Sequence, residues 1–170
     1  GRGVFFAAQD SALTPLVTVE EHLRMMVRRF GADGVAEVVD ALAEVVDALA
    51  LGELLARRPT AISGGERQRA SVALAILRNP ACLLMDEPFA GVAPADRPLL
   101  ARGLRMLRAR GCAVVVSGHD VEDLFEVSDE VVWVTAGTTH SLGSPSDARR
   151  HGQFRREYLG PAAATGIDPR

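Results

Sequence analysis

The chain contains no lysine, and all 19 of its basic side chains are arginine. That absence excludes any phosphate-binding loop of the form G-x-x-x-x-G-K-[ST] within these 170 residues, because the loop works through its lysine ammonium. Cysteine is scarce: Cys82 and Cys112 both fall in apolar runs that read as buried strands, so they are expected to be small core residues in a reducing compartment, not a disulfide. No apolar run approaches the roughly 18 residues of a membrane span, and no signal peptide is expected. No basic stretch is present either: the arginines are scattered and the net charge is a mild -3, so nucleic acid is not expected as a partner. What remains is an ordinary globular composition, 48% hydrophobic and 24% charged, enough for one domain with a core.

The apolar patterning alternates short runs with helices. Residues 3–9, "GVFFAAQ", predict a strand ending at Gln9, and a Pro-containing loop leads to Thr18. Thr18 and Glu21 have capping-box spacing for a helix through Phe30. The repeated heptad "AEVVDAL" at 36–49 predicts an amphipathic helix with Val38, Val39, Leu42, Val45, Val46 and Leu49 on one face; two heptads are too few for a coiled coil. A helix over 66–78, a strand at "ACLLMDE" (81–87), a helix over 95–109 and a strand at "CAVVVSGHD" (112–120) follow. Such alternation indicates a parallel sheet covered on both faces. Residues 129–143 read differently, as two strands joined at Ala136-Gly137 in a hairpin at the sheet's edge, and a helical tail begins at Ser144.

Three places invite chemistry. In "AISGGERQR", Ser63 and Glu66 form a capping box with Gly64 and Gly65 between them. Glycine in a first helical turn costs roughly 1 kcal/mol relative to alanine, and a capping box does not require it. Glycine does let another molecule approach the free N–H groups, so this helix start is a candidate phosphate site. In "CLLMDEP", Asp86 and Glu87 end an apolar strand, where parallel α/β sheets bind ligands. One carboxylate there could hold Mg²⁺, and its neighbour, on the other side of the strand, could orient an attacking water. His119 ends the next apolar run in the same way, whereas His22, His140 and His151 have no such context.

Gln9, "ISGGERQR", "LLMDEP" and "SGHD", in this order and at these separations, resemble the nucleotide-binding subunits of ABC transporters over nearly the whole chain. "EPFAGVAP" and "FRREYLG" are similar to the lipopolysaccharide-export and branched-chain amino-acid uptake group of those ATPases. The resemblance implies an α/β fold: part of a P-loop NTPase-type parallel sheet with an inserted helical subdomain and an edge β-hairpin. It implies a strand and Q-loop over 1–17, a helical subdomain with the signature loop over 18–80, an α/β core over 81–143 and a helical tail over 144–170. By the same resemblance Glu87 and His119 are catalytic, Gln9, Ser63, Gly64, Gly65 and Glu66 bind nucleotide, and Asp86 with Gln9 holds Mg²⁺. ATP would lie between two such subunits arranged head to tail, with transmembrane subunits as further partners and the cytoplasmic face of the membrane as the place of work.

Two departures qualify that resemblance. The family's phosphate-binding loop should precede Gln9, where only eight residues stand, beginning with Gly1 where a gene would begin with Met. This chain alone is therefore not expected to form a complete ATP site. The second departure is Ala93, where most members carry aspartate in the D-loop. The main reading is the larger, C-terminal part of an ATP-hydrolysing subunit. Its rival is a truncated or decayed, non-catalytic subunit that only occupies an interface. The related chromosome-maintenance and DNA-repair ATPases fit poorly, because only a compact subdomain fits between Gln9 and Ser63.

Overall fold

The computed structural model describes residues 3–7, 13–30 and 35–159, so the expectation for Gln9 falls outside the described residues. These residues form two compact units that divide after Asp120.

The first unit is built on a three-stranded parallel sheet, β1 (Val4–Ala7), β2 (Cys82–Met85) and β3 (Ala113–Val116), in that order. Phe5 lies level with Leu83 and Val114, and Ala7 level with Met85 and Val116. This is the parallel sheet expected from the apolar runs, with β2 and β3 shorter at both ends than their runs suggested. Strand β2 is central, and its Leu83 and Met85 are buried on one face of the sheet. The opposite face is apolar too but bare: Val4 is 58% exposed, Phe6 60% and Val115 55%. Cys82, half-buried, belongs to this face, while Cys112 is buried, and the two are not joined in a disulfide.

Four longer helices complete the unit: α1 (Val19–Phe30), α2 (Val35–Ala48), α3 (Gly64–Arg78) and α4 (Arg97–Ala109). Helix α3 is the hub, buried without interruption from Gln68 through Leu77 and packed by α1, α2 and α4. A helix surrounded in this way needs apolar residues on every side, which explains its alanine-rich sequence. Helix α4 approaches α3 at Gly103, where a Cβ would stand 2.6 Å from Val72 Cγ1 and 2.9 Å from Leu49 Cδ2. Only glycine allows that spacing. The Thr18–Glu21 capping box starts α1 as read from sequence: the Thr18 N–H donates to Glu21 Oε2 at 2.7 Å, and the Glu21 N–H donates to Thr18 Oγ1 at 3.3 Å. Helix α2 is amphipathic, but its buried stripe is narrower than the heptads suggest. Val45 and Leu49 are buried while Val39 is 57% exposed, because α2 leans on its neighbours through its C-terminal half.

The second unit contains α5 (Val121–Val127), strands β4 (Val131–Thr135) and β5 (Thr138–Gly143), helix α6 (Pro145–Arg150), a short helix α7 (Gly152–Phe154) and a wide turn over Arg155–Leu159. The hairpin turns at Ala136 and Gly137, with φ of 47° and 76°, the paired left-handed conformations that a two-residue hairpin needs. It forms a two-stranded antiparallel sheet of its own, separate from the parallel sheet. Helix α5 escaped the sequence reading, since seven residues are too few to show a period. Phe125, Trp133, Leu142, Ala148 and Phe154 make this unit's own core. His140 and His151 face the Trp133 ring, and His151 also caps α7 by accepting the Phe154 N–H at 3.3 Å.

Candidate functional site

The helix start at Ser63 is closed by its own four residues. Ser63 takes extended backbone, its Oγ accepts the Glu66 N–H at 3.2 Å, and its N–H donates to Glu66 Oε2 at 2.6 Å. That backbone bond, chiefly, holds the Glu66 carboxyl below its ordinary value. The two glycines between them differ. A Cβ on Gly64 would meet nothing closer than Arg67 Nη2 at 3.9 Å, so no packing demands glycine there. A Cβ on Gly65 would lie 3.2 Å from Asp96 Oδ2 and 3.3 Å from Val92 Cγ1. A side chain at Gly65 would thus crowd a neighbouring loop, whereas Gly64 leaves open space beside the first N–H groups of α3.

The second cluster stands at the C-terminal ends of β2 and β3, which are adjacent as the sequence reading requires. Asp86 and Glu87 follow β2 directly, and His119 lies three residues beyond β3. Glu87 adopts φ of 50°, a left-handed conformation uncommon for a residue with a side chain. Its carboxylate meets His119, whose Nδ1 lies 3.1 Å from Oε1 and 3.0 Å from Oε2. The hydrogen bond to Glu87, and then its charge, raise the His119 pKa above the ordinary 6.5. Asp86 is exposed, and its Oδ1 accepts the Ser117 hydroxyl. Among the described residues no hydrogen bond joins this cluster to Ser63–Glu66.

Residues that the motifs did not single out hold both clusters. Ser117 touches Asp86 and Glu87 together. Arg69, buried on α3, donates from Nη1 to the carbonyls of Leu49 at 2.6 Å and Ala50 at 2.9 Å, and its Nη2 lies 3.3 Å from Asp96 Oδ1. A cation there satisfies the carbonyls that the end of α2 leaves open. Arg97 continues this bracing, from the Val92 carbonyl at 3.3 Å to Asp120, next to His119, at 3.5 Å. His22 is buried and staples the loop before α1, its Nδ1 donating to the Thr18 carbonyl at 2.7 Å while Nε2 accepts the Thr14 N–H at 3.0 Å. Each joins residues distant in sequence or uses main-chain partners, so only Arg69, an arginine at the edge of the alanine-rich run of α3, offered a signal beforehand.

The family model for ABC transporters matches residues 1–90, more than half of the chain. The chain belongs to the ABC transporter family. It is 31% identical, over 94% of its length, to the lipopolysaccharide export system ATP-binding protein LptB of Haemophilus influenzae, of which it covers 66%. It is 34% identical, over 89% of its length, to the zinc import ATP-binding protein ZnuC of Halorhodospira halophila, of which it covers 59%. A solved structure of an ATP binding subunit of an ABC transporter superposes on 93% of this chain and 65% of its own, at 25% identity and a TM-score of 0.72. The chain therefore has the α/β fold of ABC ATP-binding subunits and spans about two-thirds or less of the curated relatives it matches. The resemblance drawn from the sequence implies that the Ser63 turn is the signature loop, Asp86 and Glu87 the Walker B acids and His119 the switch histidine. Three residues after Ala93, the Asp96 carboxylate engages Arg69 on α3.

Proposed function

We propose that this chain is the larger part of an ATP-hydrolysing subunit that powers a membrane transporter, working as a head-to-tail pair and docking on transmembrane subunits through its helical region, residues 18–80. One observation carries the reading: Asp86, Glu87 and His119 converge at the ends of two adjacent parallel strands, with the Glu87 carboxylate held by His119. Membership of the family, the names of the relatives as ATP-binding proteins and the bare apolar sheet face support it. That face is suited to the remaining strands and helices of a complete ATPase domain. Cargo and direction differ between the export and import relatives, so the proposal is confined to the ATPase role.

The residues present fit Mg²⁺. Asp86 is exposed, its Oδ1 is engaged by Ser117, and no hydrogen bond reaches its Oδ2 among the described residues. No cluster of three or more ligating side chains surrounds it among those residues, which suits an ion that keeps water and phosphate as most of its ligands. Asp86 would hold the ion, with Gln9 as second ligand. When bound, Mg²⁺ neutralises the charge that develops on the transferred phosphoryl group. Glu87 orients and polarises the water that attacks the γ-phosphorus, as the bond to the ADP oxygen breaks. His119, held at Nδ1 by Glu87, offers its other ring nitrogen to the γ-phosphate, and its raised pKa widens the range over which both nitrogens carry protons.

Ser63, Gly64 and Gly65 contact the γ-phosphate of nucleotide held by the other subunit, which accounts for the open space at Gly64 and for the separation of the two clusters. The test uses the gene product in which these residues occur. With ATP, its Glu87→Gln form should double in mass by light scattering, and a further Ser63→Arg change should return it to the single-subunit mass. A mass indifferent to ATP would overturn the head-to-tail arrangement.

A further inference from the structure

The geometry points to Ser117 as the positioning residue for both Walker B acids, an inference that deepens the ATPase reading and rests on it. Ser117 directly follows β3 and extends the ladder one residue past the strand, its N–H donating to the Met85 carbonyl at 3.0 Å. The Glu87 N–H comes back to the same residue, 3.1 Å from the Ser117 carbonyl and 3.3 Å from its Oγ. A hydroxyl has one proton to give, and here the proton goes to Asp86 Oδ1 while a lone pair accepts the Glu87 amide.

Two consequences follow from that single hydroxyl. Asp86 is turned so that Oδ1 is committed to the protein and Oδ2 is left for the cation. Glu87 is held in its left-handed conformation, which redirects its side chain away from the line of β2 to His119. Burial in a core does not explain the serine, because the residue is exposed. Among the described residues its hydrogen bonds all go to the two acids or to Met85, the residue before them.

The experiment compares Ser117→Ala and Ser117→Thr with the parent gene product in three measurements. These are ATP turnover, Mn²⁺ binding with a non-hydrolysable ATP analogue read by electron paramagnetic resonance, and thermal unfolding. Alanine should lower kcat about tenfold, the scale of a lost hydrogen bond to a charged group. Mn²⁺ should bind several-fold more weakly, while KM for ATP and the melting temperature stay close to the parent's. Threonine, which keeps the hydroxyl, should restore both kcat and Mn²⁺ affinity. Parental kcat and Mn²⁺ affinity in the alanine form, or failure of threonine to restore them, would overturn the role of Ser117. A parent protein that neither binds the analogue nor turns over ATP would instead overturn the ATPase reading, and this inference with it.

Discussion

The two halves of the candidate site are built in opposite ways. The turn at Ser63 is made by residues three apart, which close their own hydrogen bonds and then rest against a well-packed helix bundle. The Asp86–His119 cluster is made by residues about thirty apart, joined only because β2 and β3 lie side by side, and it stands exposed. A local device is fixed as soon as its helix forms, whereas an assembled one depends on the sheet. The division suits the chemistry proposed: a rigid anion turn to present, and a set of side chains that takes its final geometry around bound nucleotide.

The packed half should break most readily where it is braced. Arg69→Met would leave the Leu49 and Ala50 carbonyls and the Asp96 carboxylate without their partner, and should destabilise the protein by about 3 kcal/mol in chemical denaturation. A cost under about 1 kcal/mol would show that the brace is dispensable. The glycine pair sharpens the same contrast. Gly65→Ala forces a methyl against Asp96 and Val92 and should cost about 1 to 2 kcal/mol. Gly64→Ala enters open space and should leave stability unchanged or raise it by about 0.5 kcal/mol. Equal costs at the two positions would remove the distinction between a glycine kept for packing and one kept for approach.

The smallest effect belongs to the exposed half. Because the His119 pKa is raised by Glu87, their pairing is fully present below the ordinary value of 6.5 and is lost as pH rises through the raised value. NMR titration should find His119 above 6.5 in the parent and lower in Glu87→Gln. An unmoved value would mean that the pair is not formed in solution.

This contrast also explains what could be read in advance. Both capping boxes, the hairpin turn at Ala136-Gly137 and the alternation of apolar runs with helices are local patterns, and each appears where its residues predicted. Asp86, Glu87 and His119 were legible because strand ends in a parallel sheet collect at one edge. Ser117, Asp96 and the partners of Arg69 were not, since serine, aspartate and backbone carbonyls carry no pattern of their own. The heptads overstated the buried face of α2 for the same reason: periodicity shows which residues share a face, and the neighbours decide how much of it is covered.

The central claim, that Glu87 directs hydrolysis of ATP, is tested most directly by turnover of Glu87→Gln beside its parent in the gene product that carries this chain. The account predicts that the variant still binds ATP while turnover falls by roughly two to four orders of magnitude, the range of a lost catalytic base. Undiminished hydrolysis in the variant would contradict it.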